Sequence, residues 1–245
     1  MGRGAAVSRP LVVVAHGTAS ASGRRVVHDL ATAAGSALGV GVRVGYVDVC
    51  GPPADEVLAG SIEPVVVPLF IGGGYHVQVD VPRAAALARG ATITAHLGVD
   101  AALVDAALGR LREAGCDAGE ADWSIVVAAA GSRREAVRAE IEALASALGQ
   151  RLDRPAAPAY LSAAVPRVPE AVAALVGAGR RVAVANLLLA PGTFADRLLA
   201  ESRAAGAEVV AGPLGVHPAL VDAVVRRYRD ASGSDGAEGA PTSRG

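Results

Sequence analysis

The sequence contains an internal repeat, in which the second half of the chain resembles the first. Three pairs of segments are separated by 117, 114 and 118 residues, respectively: Leu97–Ala106 and Leu214–Ala223, Val13–Thr18 and Val127–Ser132, and Val67–Ile71 and Ala185–Leu189. A nearly constant offset indicates a duplication within the chain. The length of 245 residues suits two domains of ordinary size, so the chain is expected to fold as two similar domains.

Short apolar runs bounded by glycine or proline alternate with stretches of helical spacing. Such runs are typical of strands buried on both faces of a parallel sheet. The predicted strands are Leu11–Ala15, Val42–Val49, Pro64–Ile71, Thr92–Leu97, Ser124–Ala129, Ala156–Tyr160, Arg181–Leu189 and Glu208–Ala211. The predicted helices include Arg24–Leu38, Ala101–Glu113, Arg133–Leu148 and Pro218–Arg229. This alternation predicts an α/β fold in which each half is a mostly parallel sheet flanked by helices.

The repeat also places the domain boundaries. We predict an N-terminal domain over residues 8–118 and a C-terminal repeat domain over residues 119–230, joined by the segment Gly115–Ala121. Residues 231–245, with the sequence ASGSDGAEGAPTSRG, are small and polar. They cannot contribute to a core, and we predict a disordered tail there.

Composition excludes several classes of function. The net charge is −1 and aromatic residues make up 3% of the chain, which argues against a nucleic-acid partner. The two cysteines have no CxxC spacing, which argues against a disulfide framework, a cysteine-rich zinc site and an iron–sulfur cluster. All basic residues are arginine, so lysine chemistry is absent. No apolar run is long enough to span a membrane and no signal peptide is recognisable, so a cytoplasmic location is expected.

Two histidines follow predicted strands of the first half. His16 directly ends the first strand, and His76 follows the third strand after three glycines. In parallel sheets, ligands bind at the carboxyl ends of the strands. The repeat offers an internal control, because the counterparts of these histidines are Ala130 and Phe194. A scaffold role would be expected in both halves, so loss from one half favours a single functional site containing both histidines.

Two imidazoles and a carboxylate would form an open site for an exchangeable divalent ion. Asp48 ends the second strand and could supply the carboxylate, although a turn or cap role is equally compatible with its position. For Asp80, four residues after His76, a role at a helix start is favoured over metal ligation. The remaining histidines, at positions 28, 96 and 217, are predicted to be structural.

Three motifs identify a resemblance to a known family. VVVAHGT at residues 12–18, VVPLFIGGGYHVQVDVP at residues 66–82 and the repeated LGVDAALVDAAL at residues 97–108 resemble the sirohydrochlorin chelatases, which are class II tetrapyrrole chelatases. The resemblance covers most of Leu11–Arg229. It implies a lyase that inserts Fe²⁺ or Co²⁺, with Ni²⁺ as a further candidate, into sirohydrochlorin during sirohaem or cobalamin biosynthesis.

The resemblance also implies which residues act and how many chains are needed. The two metal-binding, catalytic histidines of the family fall on His16 and His76, and a family glutamate falls on Asp48, one methylene shorter. The metal ion is a substrate, and no permanently bound cofactor is implied. The long form is expected to be a monomer with two pseudo-symmetric domains, with sirohydrochlorin and the metal ion as its partners and neither nucleic acid nor membrane among them.

We expect the macrocycle to lie in the cleft between the two domains. Apolar residues at positions 69, 188 and 194 are predicted to line this cleft. Candidates for binding the substrate carboxylates are the arginines that follow the equivalent strand ends, Arg24, Arg25, Arg133 and Arg134. Two other functions remain open from the residues: a non-enzymatic metal or tetrapyrrole carrier on the same fold, and a small-molecule hydrolase that uses His16.

Overall fold

The two halves of the chain form two four-stranded parallel sheets. The computed structural model describes residues 9–116 and 123–233. The elements of the first half are β1 (Leu11–Ala15), α1 (Ala21–Leu38), β2 (Val42–Tyr46), α2 (Ala54–Ala59), β3 (Val65–Pro68), a π-helical turn (His76–Asp80), α3 (Val81–Ala85), β4 (Thr92–Ile93) and α4 (Ala101–Glu113). Those of the second half are β5 (Trp123–Ala129), α5 (Glu135–Leu152), β6 (Ala156–Tyr160), α6 (Val168–Gly177), β7 (Arg181–Asn186), α7 (Thr193–Ala204), β8 (Val209–Val210) and α8 (Pro218–Gly233).

Both sheets have the same topology. The strand orders are β2-β1-β3-β4 and β6-β5-β7-β8, and every pair is parallel. The carboxyl ends of the strands of one sheet therefore lie at one edge, with the central strands β1 and β3, or β5 and β7, side by side. The predicted α/β class and the duplication are confirmed.

Alternate residues of the central strands pack into different cores. Leu11 and Val13 of β1 belong to a large core that also contains residues of β5, whereas Val12 and Val14 pack with α2 and α3 on the other face of the sheet. The second sheet divides in the same way, with Val126 and Ala128 packing against α6 and α7. Strands buried on both faces explain the continuous apolar runs in the sequence.

The last helix of each half packs against the other half. α4 follows the first sheet in the chain but contacts β7, and α8 contacts α1 and β3 of the first sheet. The two halves therefore share one core, and a boundary at residue 118 does not separate two independent hydrophobic cores. This exchange of helices joins the two sheets through the shared core.

Several predicted elements end elsewhere in the structure. The strand predicted over Val42–Val49 ends at Tyr46, where the chain turns into the segment that carries Asp48. The strand predicted over Thr92–Leu97 ends at Ile93. α8 continues to Gly233, so Ala231–Gly233 are helical rather than part of the predicted tail. Residues 117–121 of the predicted linker and 234–245 of the tail lie outside the described residues.

Among the helices of residues 9–116 and 123–233, none has the length and apolar character needed to cross a membrane.

Candidate metal centre

His16 lies at the carboxyl end of β1, with its side chain exposed. Its Nδ1 is 3.2 Å from the carbonyl oxygen of Gly17, which can only accept a hydrogen bond. A proton on Nδ1 leaves the lone pair on Nε2 free for a metal. Gly17 has a φ of 105°, and a Cβ there would lie 2.0 Å from the carbonyl oxygen of Asp48. A glycine is therefore required where the ends of β1 and β2 meet.

His76 begins the π-helical turn that follows the glycine-rich loop after β3. Its Nδ1 lies 2.6 Å from Oδ2 of Asp80. Because a carboxylate only accepts hydrogen bonds, this contact places the proton on Nδ1 and the lone pair on Nε2. A carboxylate on the far nitrogen is a common way in which proteins orient a metal-binding histidine.

Asp80 occupies the N-cap position of α3, as expected for a helix start, but its side chain makes no capping hydrogen bond. It binds the imidazole of His76 instead. Sequence analysis missed this role. The spacing of four residues between the two side chains was the available signal.

Asp48 lies just beyond β2 with an exposed side chain. Its Oδ1 accepts a hydrogen bond of 2.7 Å from the amide of Val49, so the turn role considered above is present. The same side chain also approaches both histidines: one ligand atom each from His16, Asp48 and His76 lie within 4.8 Å of one another. The two imidazole rings are 4.7 Å apart and nearly perpendicular. The structure thus brings the three predicted residues together.

This donor set suits an ion that enters and leaves. Two imidazoles and one carboxylate fit Fe²⁺, Co²⁺, Ni²⁺ or Zn²⁺ and leave coordination positions for water or a second ligand. Solvent reaches the cluster, because His16 and Asp48 are exposed and His76 is half-buried. An open, exchangeable site is therefore geometrically available.

The cluster lies at the edge of a cleft of about 670 Å³ between the two halves. Leu69 from the first half and Leu188 and Phe194 from the second line the cleft, as predicted. Ala130, the counterpart of His16, lines it as well. One wall therefore carries the imidazoles, whereas the equivalent positions on the opposite wall are apolar.

The other three histidines lie away from the cluster. His28 is exposed on α1, with its ring 6.1 Å from that of Tyr46. His217 accepts a 3.2 Å hydrogen bond from the amide of Ala219 through Nδ1 and so caps α8. Nε2 of His96 is 3.2 Å from Oε1 of Glu140, which joins the two halves. None of the three belongs to the cluster of His16, Asp48 and His76, and the structural roles expected for them stay predictions.

The predicted carboxylate-binding arginines differ in their contacts. Arg24 donates to the carbonyl oxygens of Thr18 and Ala19, so its guanidinium is partly engaged by the chain itself. Arg134, in the second half, donates to the side chain of Gln78 in the first. The remaining two candidates, at positions 25 and 133, have exposed side chains.

One further arginine of the cleft was missed by sequence analysis. Arg138 lines the cleft and donates to the carbonyl oxygen of Arg133, as Arg24 does to that of Ala19 in the first half. The offset of 114 residues between positions 24 and 138 was the signal that could have found it.

Tyr46 and Tyr160 occupy equivalent positions in the two halves, and both are buried. Burial raises the pKa of the Tyr46 hydroxyl and of the Tyr160 hydroxyl. Both are therefore neutral phenols at neutral pH. Tyr160 is also part of the cleft lining.

A sequence model of the CbiX family matches residues 10–114 and, a second time, residues 124–231. The chain belongs to the CbiX family. Each half corresponds to one CbiX unit, so the internal repeat is a duplicated CbiX unit. The resemblance to the sirohydrochlorin chelatases is confirmed. A comparison with curated protein sequences found no significant match.

Solved structures share the CbiX fold. SirB from Bacillus subtilis, solved with Fe³⁺, has a TM-score of 0.78 and 20% identity over 94% of this chain and 98% of its own. A CbiX described as the terminal enzyme for biosynthesis of siroheme in denitrifying bacteria has a TM-score of 0.69 and 21% identity, covering 91% and 99%. DR2241 from Deinococcus radiodurans, a multi-domain protein with structural similarity to chelatases, has a TM-score of 0.71 and 23% identity, covering 96% of this chain and 56% of its own.

Proposed function

We propose that this protein inserts a divalent metal ion, Fe²⁺ or Co²⁺, into sirohydrochlorin, for sirohaem or cobalamin biosynthesis. The observation that carries the proposal is the meeting of His16, Asp48 and His76 at the edge of a cleft in a chain of the CbiX family. The metal ion is a substrate that passes through the site, and no resident cofactor is required. Ni²⁺ is a further candidate, because the same ligands accept it.

In the proposed reaction, the hydrated ion exchanges water for the imidazole nitrogens. Each imidazole must be neutral to bind the ion. The hydrogen bonds from Nδ1 of His16 and of His76 hold the tautomer in which Nε2 is the donor atom. Asp48 adds a negative charge that partly offsets the charge of the ion.

Metal insertion also requires that the macrocycle lose two pyrrole protons. An imidazole that is not bound to the metal can accept a proton on Nε2 and pass it to solvent, which reaches the cluster, so the two protons can leave one after the other. The carboxylate of Asp80, at 2.6 Å, accepts the hydrogen bond from Nδ1 of His76, so Nε2 is the nitrogen that either binds the ion or accepts the proton. We therefore propose that both histidines bind the incoming ion and that each can carry a pyrrole proton to solvent once it has released the ion.

The cleft offers an apolar surface, and one arginine, Arg138, lies in its lining. Leu69, Leu188 and Phe194 contact a flat macrocycle in this proposal. Sirohydrochlorin is a polycarboxylate, and the exposed guanidinium groups of Arg25 and Arg133 are suited to pair with it. Since both walls come from one chain, we propose that the monomer is active.

The test is anaerobic absorbance spectroscopy of sirohydrochlorin incubated with Fe²⁺, Co²⁺ or Ni²⁺ and the purified protein. We expect acceleration over the protein-free rate, with large losses in His16→Ala and His76→Ala. His28→Ala removes an exposed histidine outside the cleft and serves as the matched control, with unchanged activity expected. Tetrapyrrole binding without acceleration by any metal would reject the enzyme in favour of a carrier.

A further inference from the structure

The loop that precedes His76 is held by the second half of the chain. Oε2 of Glu140, on α5, accepts a 2.9 Å hydrogen bond from the amide of Gly73. The carbonyl oxygen of Gly73 accepts a 3.0 Å bond from the side chain of Gln78. The side-chain oxygen of Gln78 in turn accepts from Arg134, just before α5. The amide of Gly73 is therefore bound directly to α5, and its carbonyl oxygen is linked through Gln78 to Arg134, the residue that precedes α5.

The packing at this loop leaves little room for movement. A Cβ on Gly72 would lie 2.6 Å from Cγ1 of Val137 on α5, and a Cβ on Gly73 would lie 2.9 Å from Cε1 of His96. Only glycine permits these approaches. Gly73 is itself buried. The backbone of Gly72 therefore packs closely against α5, and that of Gly73 packs closely against His96, which follows β4.

Glu140 contacts two separate segments of the first half. One carboxylate oxygen binds the amide of Gly73 and the other lies 3.2 Å from Nε2 of His96. About a quarter of the Glu140 side chain is exposed, so solvent competes only partly for these contacts. The hydrogen bond from the Gly73 amide to this carboxylate is stronger than one between neutral groups, because the acceptor is ionised.

We infer that Glu140 is a positioning residue, through which the second half fixes the loop that presents His76 to the metal. Gly73 precedes His76 by three residues, and the imidazole of His76 is about one-third exposed, so its location depends on the backbone that carries it. The inference rests on the proposed function only in assigning His76 to the metal. In this inference the second half, where Ala130 and Phe194 replace the two histidines, serves to position a residue of the first half.

The test compares four variants with the wild-type protein. Glu140→Ala removes both contacts, whereas Glu140→Gln keeps an oxygen acceptor for Gly73. Gln78→Ala, at an exposed position, releases the carbonyl side of the loop without disturbing α5. Asp105→Asn is the control, because Asp105 pairs with Arg151 across the two halves at 3.1 Å and is partly exposed.

Two measurements report on the loop. Hydrogen exchange of the metal-free protein over residues 71–80 is expected to accelerate about tenfold or more in Glu140→Ala, as for loss of a bond to a charged group. Co²⁺ titration, followed by visible absorbance, is expected to show about tenfold weaker binding, the lower end for outer-shell changes. Gln78→Ala is expected to shift both measurements in the same direction. Glu140→Gln, which keeps the acceptor oxygen but loses the charge, is expected to have an intermediate effect, and Asp105→Asn remains close to wild type.

The inference is overturned if Glu140→Ala, or Gln78→Ala where Glu140→Ala does not fold, leaves both measurements at wild-type values. It is also overturned if Glu140→Gln behaves like Glu140→Ala, or if Asp105→Asn changes the loop equally. A wild-type protein that binds Co²⁺ but does not accelerate metal insertion rejects the proposed reaction alone. In that case exchange and Co²⁺ binding still decide the role of Glu140.

Discussion

The Nδ1 atom of His76 lies 2.6 Å from Oδ2 of Asp80, four residues further along the chain. The π-helical turn His76–Asp80 brings the two side chains together. The other oxygen of Asp80 is 3.6 Å from Arg83, which also pairs with Asp55 at 2.7 Å. The Asp80 carboxylate thus contacts His76 through one oxygen and Arg83 through the other. The contact with His76 orients the imidazole and leaves its Nε2 free.

Replacement of Asp80 is expected to weaken metal binding without removing a ligand. Loss of such an outer partner reduces metal affinity about 10–100-fold, so we expect Asp80→Ala to raise the Co²⁺ dissociation constant within this range. Asp80→Asn keeps an acceptor oxygen and is expected to have an intermediate effect. The measurement is Co²⁺ titration followed by visible absorbance.

Asp55→Asn is the control for this prediction, because it disturbs the exposed pair with Arg83 and does not touch His76. We expect its Co²⁺ affinity to equal that of the wild type. A wild-type dissociation constant in Asp80→Ala would show that the contact with His76 does not support the metal.

Asp48 is expected to act as a ligand as well as a turn residue. Asp48→Asn retains an acceptor for the Val49 amide but removes the charge, so the loop should persist while Co²⁺ affinity falls by at least about tenfold. The matched control is Ser162→Ala at the equivalent position of the second half, where the hydroxyl donates to the carbonyl oxygen of Ala130 at 2.8 Å. Equal Co²⁺ affinity in Asp48→Asn and the wild type would assign binding to the histidines alone.

The sequence was sufficient to predict the fold class and the residues of the cluster. Both follow from local patterns: apolar runs define parallel strands, and parallel strands place the side chains that follow them at one edge. His16, Asp48 and His76 each follow a strand, which is why they could be placed together. The repeat then favoured His16 and His76 as functional residues, because their counterparts are Ala130 and Phe194.

Features that depend on contacts between distant segments were not predictable in this way. α4 and α8 pack against the opposite half as part of the shared core. The apolar face of a helix does not reveal which of two sheets it covers, so this packing could not be predicted. The bond between Glu140 and Gly73 spans 67 residues and two domains. The role of Asp80 depends on a π-helical turn, which the apolar pattern does not reveal.

The exchange of terminal helices predicts a pH-dependent contribution to stability. Asp100 accepts a hydrogen bond from the Ala102 amide at the start of α4 and pairs with Arg226 and Arg227 of α8. Burial alone would raise the pKa of Asp100, but the Ala102 amide and the two guanidinium groups outweigh it and hold the pKa below its ordinary value of 3.8. The carboxylate therefore stabilises the folded state above that value, and the stabilisation is lost as pH falls through the lower folded-state pKa.

Asp100→Asn preserves the cap and removes the charge, so we expect it to lower the free energy of unfolding by about 2 kcal/mol near neutral pH. The difference from the wild type should shrink as pH falls below about 4. Urea denaturation across this range measures it, with the partly exposed Asp105→Asn as the control for a weak ion pair between the halves. A penalty that is constant with pH would show that the charge of Asp100 does not contribute.

The duplication provides a matched pair of glycine variants that separates stability from metal binding. Gly17 and Gly131 have φ values of 105° and 99°, and a Cβ would lie 2.0 Å from the carbonyl oxygen of Asp48 in the first case and 1.8 Å from that of Ser162 in the second. We expect Gly17→Ala and Gly131→Ala each to lower the free energy of unfolding by more than about 2 kcal/mol, since backbone strain and a clash act together.

Only Gly17→Ala should also weaken Co²⁺ binding, because the clash displaces the segment that carries Asp48, whereas the equivalent segment of the second half carries no ligand. Gly39→Ala measures the effect of backbone strain without a clash, since the φ of Gly39 is 68° and no atom lies within 4 Å of the added Cβ. We expect it to lower the free energy of unfolding by about 1 kcal/mol and to leave Co²⁺ binding unchanged. Urea denaturation and Co²⁺ titration of the three variants give both quantities. Equal loss of Co²⁺ affinity in Gly17→Ala and Gly131→Ala would mean that the metal responds to global destabilisation, and the assignment of the site to the first half would then lose its support.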